Sequence, residues 1–182
     1  MKGLTLKKIF SILILFFAYT ASTFAEDAAI INAEADVAVQ KFYKNVIGGE
    51  EFLSKCKGYL VFPNIYKAGF FVGGEYGEGV LRYDNANQGY YSLKSGSIGW
   101  QFGLQKRSML IAFVSQRALD SFLKSSGWTV GIDGGINVAV WGASKDLSTV
   151  SFEKDAIAFV FDEQGLMANI AVEGNQIAPL AK

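Results

Sequence analysis

The chain of 182 residues has no histidine, a single cysteine and two prolines. Without histidine, neither a Ser-His-Asp nor a Cys-His catalytic unit can be assembled, and the commonest transition-metal ligand is missing. Cys56 alone can close no intrachain disulfide and build no cysteine-rich zinc cage. It reads as a small buried hydrophobe at the end of a helix. An excess of charge is lacking too, since 17 basic side chains meet 17 acidic ones. What the chain has instead is glycine, 20 in all, with 51% hydrophobic and 14% aromatic residues. Such a composition builds a packed core and excludes disorder.

Met1 to Ala25 reads as a secretory leader. Lys2, Lys7 and Lys8 form its positive end, Ile9 to Phe17 its short apolar stretch, and Thr23-Phe24-Ala25 ends on a small residue. No cysteine stands at the end of the apolar stretch, so the leader is not of the lipoprotein type. The expected location is therefore secreted across an inner membrane and periplasmic. Removing the leader takes away three lysines and leaves 14 basic against 17 acidic groups, a net charge of −3. A strongly basic nucleic-acid binder is excluded on that balance.

From Ala28 to Ile47 neither glycine nor proline occurs, and Ile31, Ala35, Ala38, Phe42 and Val46 share one helical stripe. Gly48-Gly49 ends that helix, and Glu50 to Cys56 makes a short second one. After Lys57 the texture changes to short apolar runs broken by glycine. Strands are predicted near 58–62, 68–74, 78–83, 89–94, 97–104, 108–114, 128–132, 135–141, 156–161 and 166–172, with a short helix over Ala118 to Lys124. The glycine cluster Gly73-Gly74-Glu75-Tyr76-Gly77-Glu78-Gly79 reads as a hairpin turn, because it matches no phosphate-loop spacing and two glutamates would repel phosphate. Asp84 to Gly89 reads as a polar turn. Glycine within strands permits the bulges and bends of a sheet that curls on itself. The expected fold is α+β: an N-terminal helical segment (26–57), then a strongly curved, mostly antiparallel, glycine-rich β-sheet, barrel- or sandwich-like (58–182).

Candidate enzyme chemistry is thin. Ser121 to Lys124 and Ser151 to Lys154 match S-x-x-K without the motifs that accompany it in acylating enzymes. Asp133, Asp146, Asp155, Asp162 and Glu163 offer carboxylates, with nothing in the spacing that pairs them for glycoside hydrolysis. No enzymatic activity, cofactor or metal is expected. Charge distribution says more. Residues 55–124 hold nine basic and four acidic groups, a basic island between two acidic flanks. Such a segment suits an anionic headgroup or polymer, while basic side chains also simply solvate strand edges.

Three blocks resemble the SYLF-domain family, known from eukaryotic lipid-binding and actin-patch proteins and from bacterial envelopes. Gly58-Tyr59-Leu60-Val61-Phe62-Pro63, with Lys67-Ala68-Gly69-Phe70 running into Gly73, Gly77, Gly79, Val80 and Leu81, resembles the family's opening signature. Ser95-Gly96-Ser97-Ile98-Gly99-Trp100-Gln101-Phe102-Gly103 resembles its central segment, and Ala158-Phe159, Gly165 to Ala168 and Glu173-Gly174 to Ile177 its closing one. Where the family often has Trp-Pro before the central block, this chain has Tyr90-Tyr91-Ser92-Leu93-Lys94. The resemblance implies phospholipid or envelope-surface binding without catalysis. Lys67, matching the lysine of the first block, is the leading candidate ligand-binding residue; Lys55, Lys57, Lys106 and Arg107 support it. A membrane surface is the expected partner, with an envelope protein partner or structural role as the alternative and a carboxylate enzyme on envelope polymers as the remote one.

Overall fold

The computed structural model describes residues 27–69, 72–98, 103–130, 138–141, 155–162, 165–166 and 174–182. The leader, Asp133, Asp146, Glu163, the segment 151–154, the central-block residues 99–102 and the predicted strand ends at 131–137 and 167–172 lie outside them.

Helix α1 spans Ala28–Asn45. Asp27 caps it, its Oδ1 accepting from the Ala29 amide at 3.2 Å. The predicted stripe is its buried face: Ile31, Ala35, Ala38 and Phe42 are all buried, as is Val46 just beyond its end. Gly48 takes a left-handed φ of 78°, which turns the chain into α2, Gly49–Lys55. Helix α3 spans Gln116–Lys124. Among the described residues no helix is long and apolar enough to cross a membrane.

The strands are β1 (Gly58–Gly69), β2 (Val72–Tyr83), β3 (Ala86–Ile98), β4 (Gly103–Phe113), β5 (Trp128–Thr129), β6 (Val138–Trp141), β7 (Ala156–Asp162), β8 (Gly165–Leu166) and β9 (Gln176–Leu180). They form one sheet in the order β5-β9-β3-β2-β1-β4-β7-β6, with β8 on β7. Every pairing is antiparallel except β6 on β7. The α+β architecture with an N-terminal helical segment is as the sequence predicts.

The sheet buries both faces, as alternation along β7 shows. Ile157, Phe159 and Phe161 face α1 and α2, where Phe42 stacks edge-on against Phe159 at 4.7 Å. Ala156, Ala158 and Val160 point the other way, into a second core with Phe113, Phe122 and Trp128. Each fully buried large apolar side chain stabilises by about 1.5–3 kcal/mol. The second core also reveals the curl. Strands β4 and β5 stand five places apart, ~24 Å in a flat sheet, yet Phe113 and Trp128 rings lie 6.4 Å apart. Phe122 of α3 fills the space, 5.1 Å from Phe113 and 5.5 Å from Trp128.

Two local predictions need correction. The run Gly73 to Gly79 is not a turn but the body of β2, paired on one side with β1 and on the other with β3. The strand predicted at 58–62 runs on as β1 to Gly69, and the described residues of the one predicted at 68–74 are divided between the end of β1 and the start of β2. The reason lies in β1, where the register shifts between Val61 and Asn64, around Phe62 and Pro63. This bulge pushes backbone toward β2, and a Cβ on Gly79 would stand 2.3 Å from the Val61 carbonyl oxygen. Glycine is there for close approach, not for a turn. The turn predicted over Asp84 to Gly89 holds at its first two residues: Asp84 and Asn85 have φ of 51° and 58°, a two-residue reversal of the type that matches strand twist, while Ala86 to Gly89 already belong to β3.

Candidate functional site

Antiparallel pairing of β1 with β4 sets Tyr66 opposite Lys106 and Ile65 opposite Arg107, while pairing with β2 sets Lys67 opposite Glu75. Two of the five sequence candidates, Lys67 and Arg107, therefore meet at one carboxylate, and a third, Lys106, stands beside them in the strand. Lys67 Nζ lies 3.4 Å from Glu75 Oε1, and Arg107 Nη2 lies 2.5 Å from Glu75 Oε2. The Glu75 side chain is 5% exposed and that of Arg107 12%. The charges of Lys67 and Arg107 are thus turned inward onto a shared carboxylate. Lys106 is different: it is exposed, and its ammonium sits 5.7 Å from the centre of the Tyr66 ring.

Lys55 and Lys57 lie elsewhere, at the end of α2. Lys55 is exposed and bonds Glu51 one turn earlier at 2.6 Å. Lys57 is exposed, and its backbone N–H donates to the Phe113 carbonyl at 2.8 Å. Of the remaining basic residues in the island, Arg82 pairs with Asp36 at 2.7 Å and Arg117 with Asp155 at 2.5 Å. Of the nine island cations, Lys57, Lys94, Lys106 and Lys124 have no acidic partner among the described residues. The other five are ion-paired, Lys67 and Arg107 within the island and Lys55, Arg82 and Arg117 with acids of its flanks.

Beside Lys106 the structure opens a groove of about 400 Å³ between α1 and the β1–β4 pair. Its walls carry Ala33, Val37, Ala38 and Pro63, with Lys41 and Lys106 at polar positions. Val37 is 69% exposed, an apolar side chain held out at the edge of this groove. The β1 bulge shapes its floor. Asn64 donates from Nδ2 to Glu34 on α1, and Ser108 Oγ donates to the Pro63 carbonyl at 2.7 Å, so helix and bulge are tied together. Lys41 escaped the sequence reading because it belongs to the acidic N-terminal segment; only packing of α1 brings it to the β1–β4 pair.

The lining thus joins an apolar wall to three cations, Lys41, Lys106 and Arg107, and one carboxylate, Glu34. Comparison with known proteins agrees with the central and closing signature blocks, which lie within the matched segment. Residues 94–181 match the Ysc84 family, described as Las17-binding protein actin regulator. This match supports the resemblance to the SYLF family. The chain is similar to the SH3 domain-containing YSC84-like protein 1 of Bos taurus, 29% identical over 131 residues, and to that of Homo sapiens, 28% identical over the same length. These alignments cover 68% of this chain and 37% of each relative, so the chain spans little more than a third of the curated proteins it matches.

Proposed function

We propose that this protein is a non-catalytic binder of anionic phospholipid at an envelope surface, acting through the groove between α1 and the β1–β4 pair. The observation that carries the reading is the combination, in one cleft, of an apolar wall at Ala33, Val37 and Pro63 with Lys41, Lys106 and Arg107, against one carboxylate, Glu34, that accepts from Asn64. Cations attract the headgroup, and an exposed valine beside them meets the acyl boundary. Lys67 and Arg107 act as support: by neutralising Glu75 they keep a carboxylate from repelling the headgroup. The leader at residues 1–25 directs the protein across the inner membrane, and mass spectrometry of the purified mature form should find Glu26 at the N-terminus.

Charge reversal tests the site. Lys106→Glu should weaken binding to vesicles containing phosphatidylglycerol several-fold, whereas Lys57→Glu, on the far side of α1, should leave it nearly unchanged. Equal effects of the two reversals would place binding outside the groove.

A further inference from the structure

Helix α1 has a second flank. There, Asn32, Asp36 and Tyr43 face the start of β1 and the β2–β3 turn across a groove of about 620 Å³, within the usual size range of ligand pockets. Its character is opposite to that of the first groove. Three half-buried tyrosines, Tyr43, Tyr59 and Tyr83, line it together with Asn85, Asn87 and Ser54. Amides and hydroxyls supply donors and acceptors side by side, and the tyrosines supply flat apolar faces with a polar tip.

The charged groups of this groove do not favour an anion. Its acids Asp36, Glu50 and Asp84 outnumber its bases Lys57 and Arg82. Each nitrogen of Arg82 already has a partner: Nη1 pairs with Asp36 at 2.7 Å, Nε donates to Asn87 Oδ1 at 2.9 Å, and Nη2 donates to the Asn32 carbonyl at 3.3 Å. A guanidinium held by the walls in this way, with its charge met by Asp36, is a weaker anchor for a phosphate than a free one. Burial, helped by Tyr59 and Glu50, raises the Tyr43 phenol above its ordinary value against the pull of Arg82, so it stays a protonated donor. The lip is the tight left-handed reversal at Asp84 and Asn85.

We propose that this groove is a saccharide-binding site, taking a neutral oligosaccharide whose sugar faces lie on the tyrosines and whose hydroxyls bond the surrounding amides, phenols and carboxylates. Such a ligand matches the mixture of flat apolar and neutral polar wall, and a groove of this volume is far larger than a single ammonium group requires. The two grooves lie on opposite flanks of α1, so the proposal stands independently of the lipid reading.

Calorimetric titration of the purified protein with chitotetraose and with maltotetraose tests it, with choline chloride as the comparison. At least one of the two sugars should bind and choline should not. Ser54 is exposed on α2, so Ser54→Trp should block the groove and weaken sugar binding about tenfold or more, with vesicle binding and melting temperature unchanged. Tyr59→Phe, which keeps the ring, should weaken it only a few-fold. Absence of binding by either sugar, choline binding alone, or sugar binding indifferent to Ser54→Trp would each overturn the proposal.

Discussion

Arg107 on β4 reaches across β1 to Glu75 on β2, closing to 2.5 Å, while Lys67 on the intervening strand approaches the same carboxylate at 3.4 Å. Three strands are thereby joined by one buried acid. Removing a single member of such a set leaves an uncompensated charge in a largely buried position. Glu75→Gln is expected to destabilise the protein by about 3–5 kcal/mol, read by urea denaturation. Replacing Lys67, Glu75 and Arg107 together by methionine should cost much less. A Glu75→Gln protein as stable as the parent would show that the triad contributes nothing to folding.

The same triad makes Lys67→Glu a poor probe of lipid binding, because it would set a second carboxylate against Glu75. A fall in both melting temperature and vesicle binding is expected for that variant. In Lys106→Glu only vesicle binding should fall.

Gly79→Ala should be among the costliest small substitutions in the chain. Its Cβ would meet the Val61 carbonyl oxygen at 2.3 Å and Phe62 Cδ1 at 2.6 Å, with backbone on one side and a buried ring on the other. Overpacking of this kind costs about 1–3 kcal/mol or more. Gly74→Ala, whose Cβ would find nothing nearer than the Ser95 carbonyl oxygen at 3.6 Å, is the matched control and should melt near the parent temperature.

These glycines also show how far the sequence could be read. The stripe Ile31, Ala35, Ala38, Phe42 and Val46 depends only on local spacing, and all five are buried as that spacing predicts. Gly73 to Gly79 depends on what lies opposite, and nothing local reveals that Phe62 and Pro63 bulge toward it. Strand β9 was missed for a related reason: Gln176 to Leu180 is five residues long, contains Pro179, and is held by pairing with β3 and β5. The site was legible in part. Composition pointed to Lys67, Lys106 and Arg107, but register alone decides that two of them are spent on Glu75 and that Lys106 faces a groove shared with Lys41.

Cys56 is expected to be inert. Burial pushes its thiol up to about 12, with Lys57 opposing weakly, and its Sγ donates to the Phe52 carbonyl at 3.3 Å. Iodoacetamide at pH 8 should label it slowly in the folded protein and rapidly in urea. Because the folded value lies above the unfolded one near 9.0, the native state holds the proton more tightly. Its contribution to stability is complete below pH ~9 and declines as pH rises toward ~12. Cys56→Ala should flatten that part of the stability profile; an unchanged alkaline slope would assign it to other groups.

Ser115 caps α3, its Oγ accepting from the Ala118 amide at 3.1 Å and donating to Asp155 Oδ1 at 3.0 Å. Ser115→Ala should cost about 1–2 kcal/mol in chemical denaturation. No loss on Ser115→Ala would mean that neither bond stabilises the helix that fills the curl of the sheet.

The most direct test of the account is co-sedimentation of the purified protein with vesicles of phosphatidylcholine alone or with phosphatidylglycerol, at low and moderate salt. The account predicts binding that requires the anionic lipid and weakens as salt screens Lys41 and Lys106. Binding indifferent to both lipid charge and salt, or no binding to either vesicle, would contradict it.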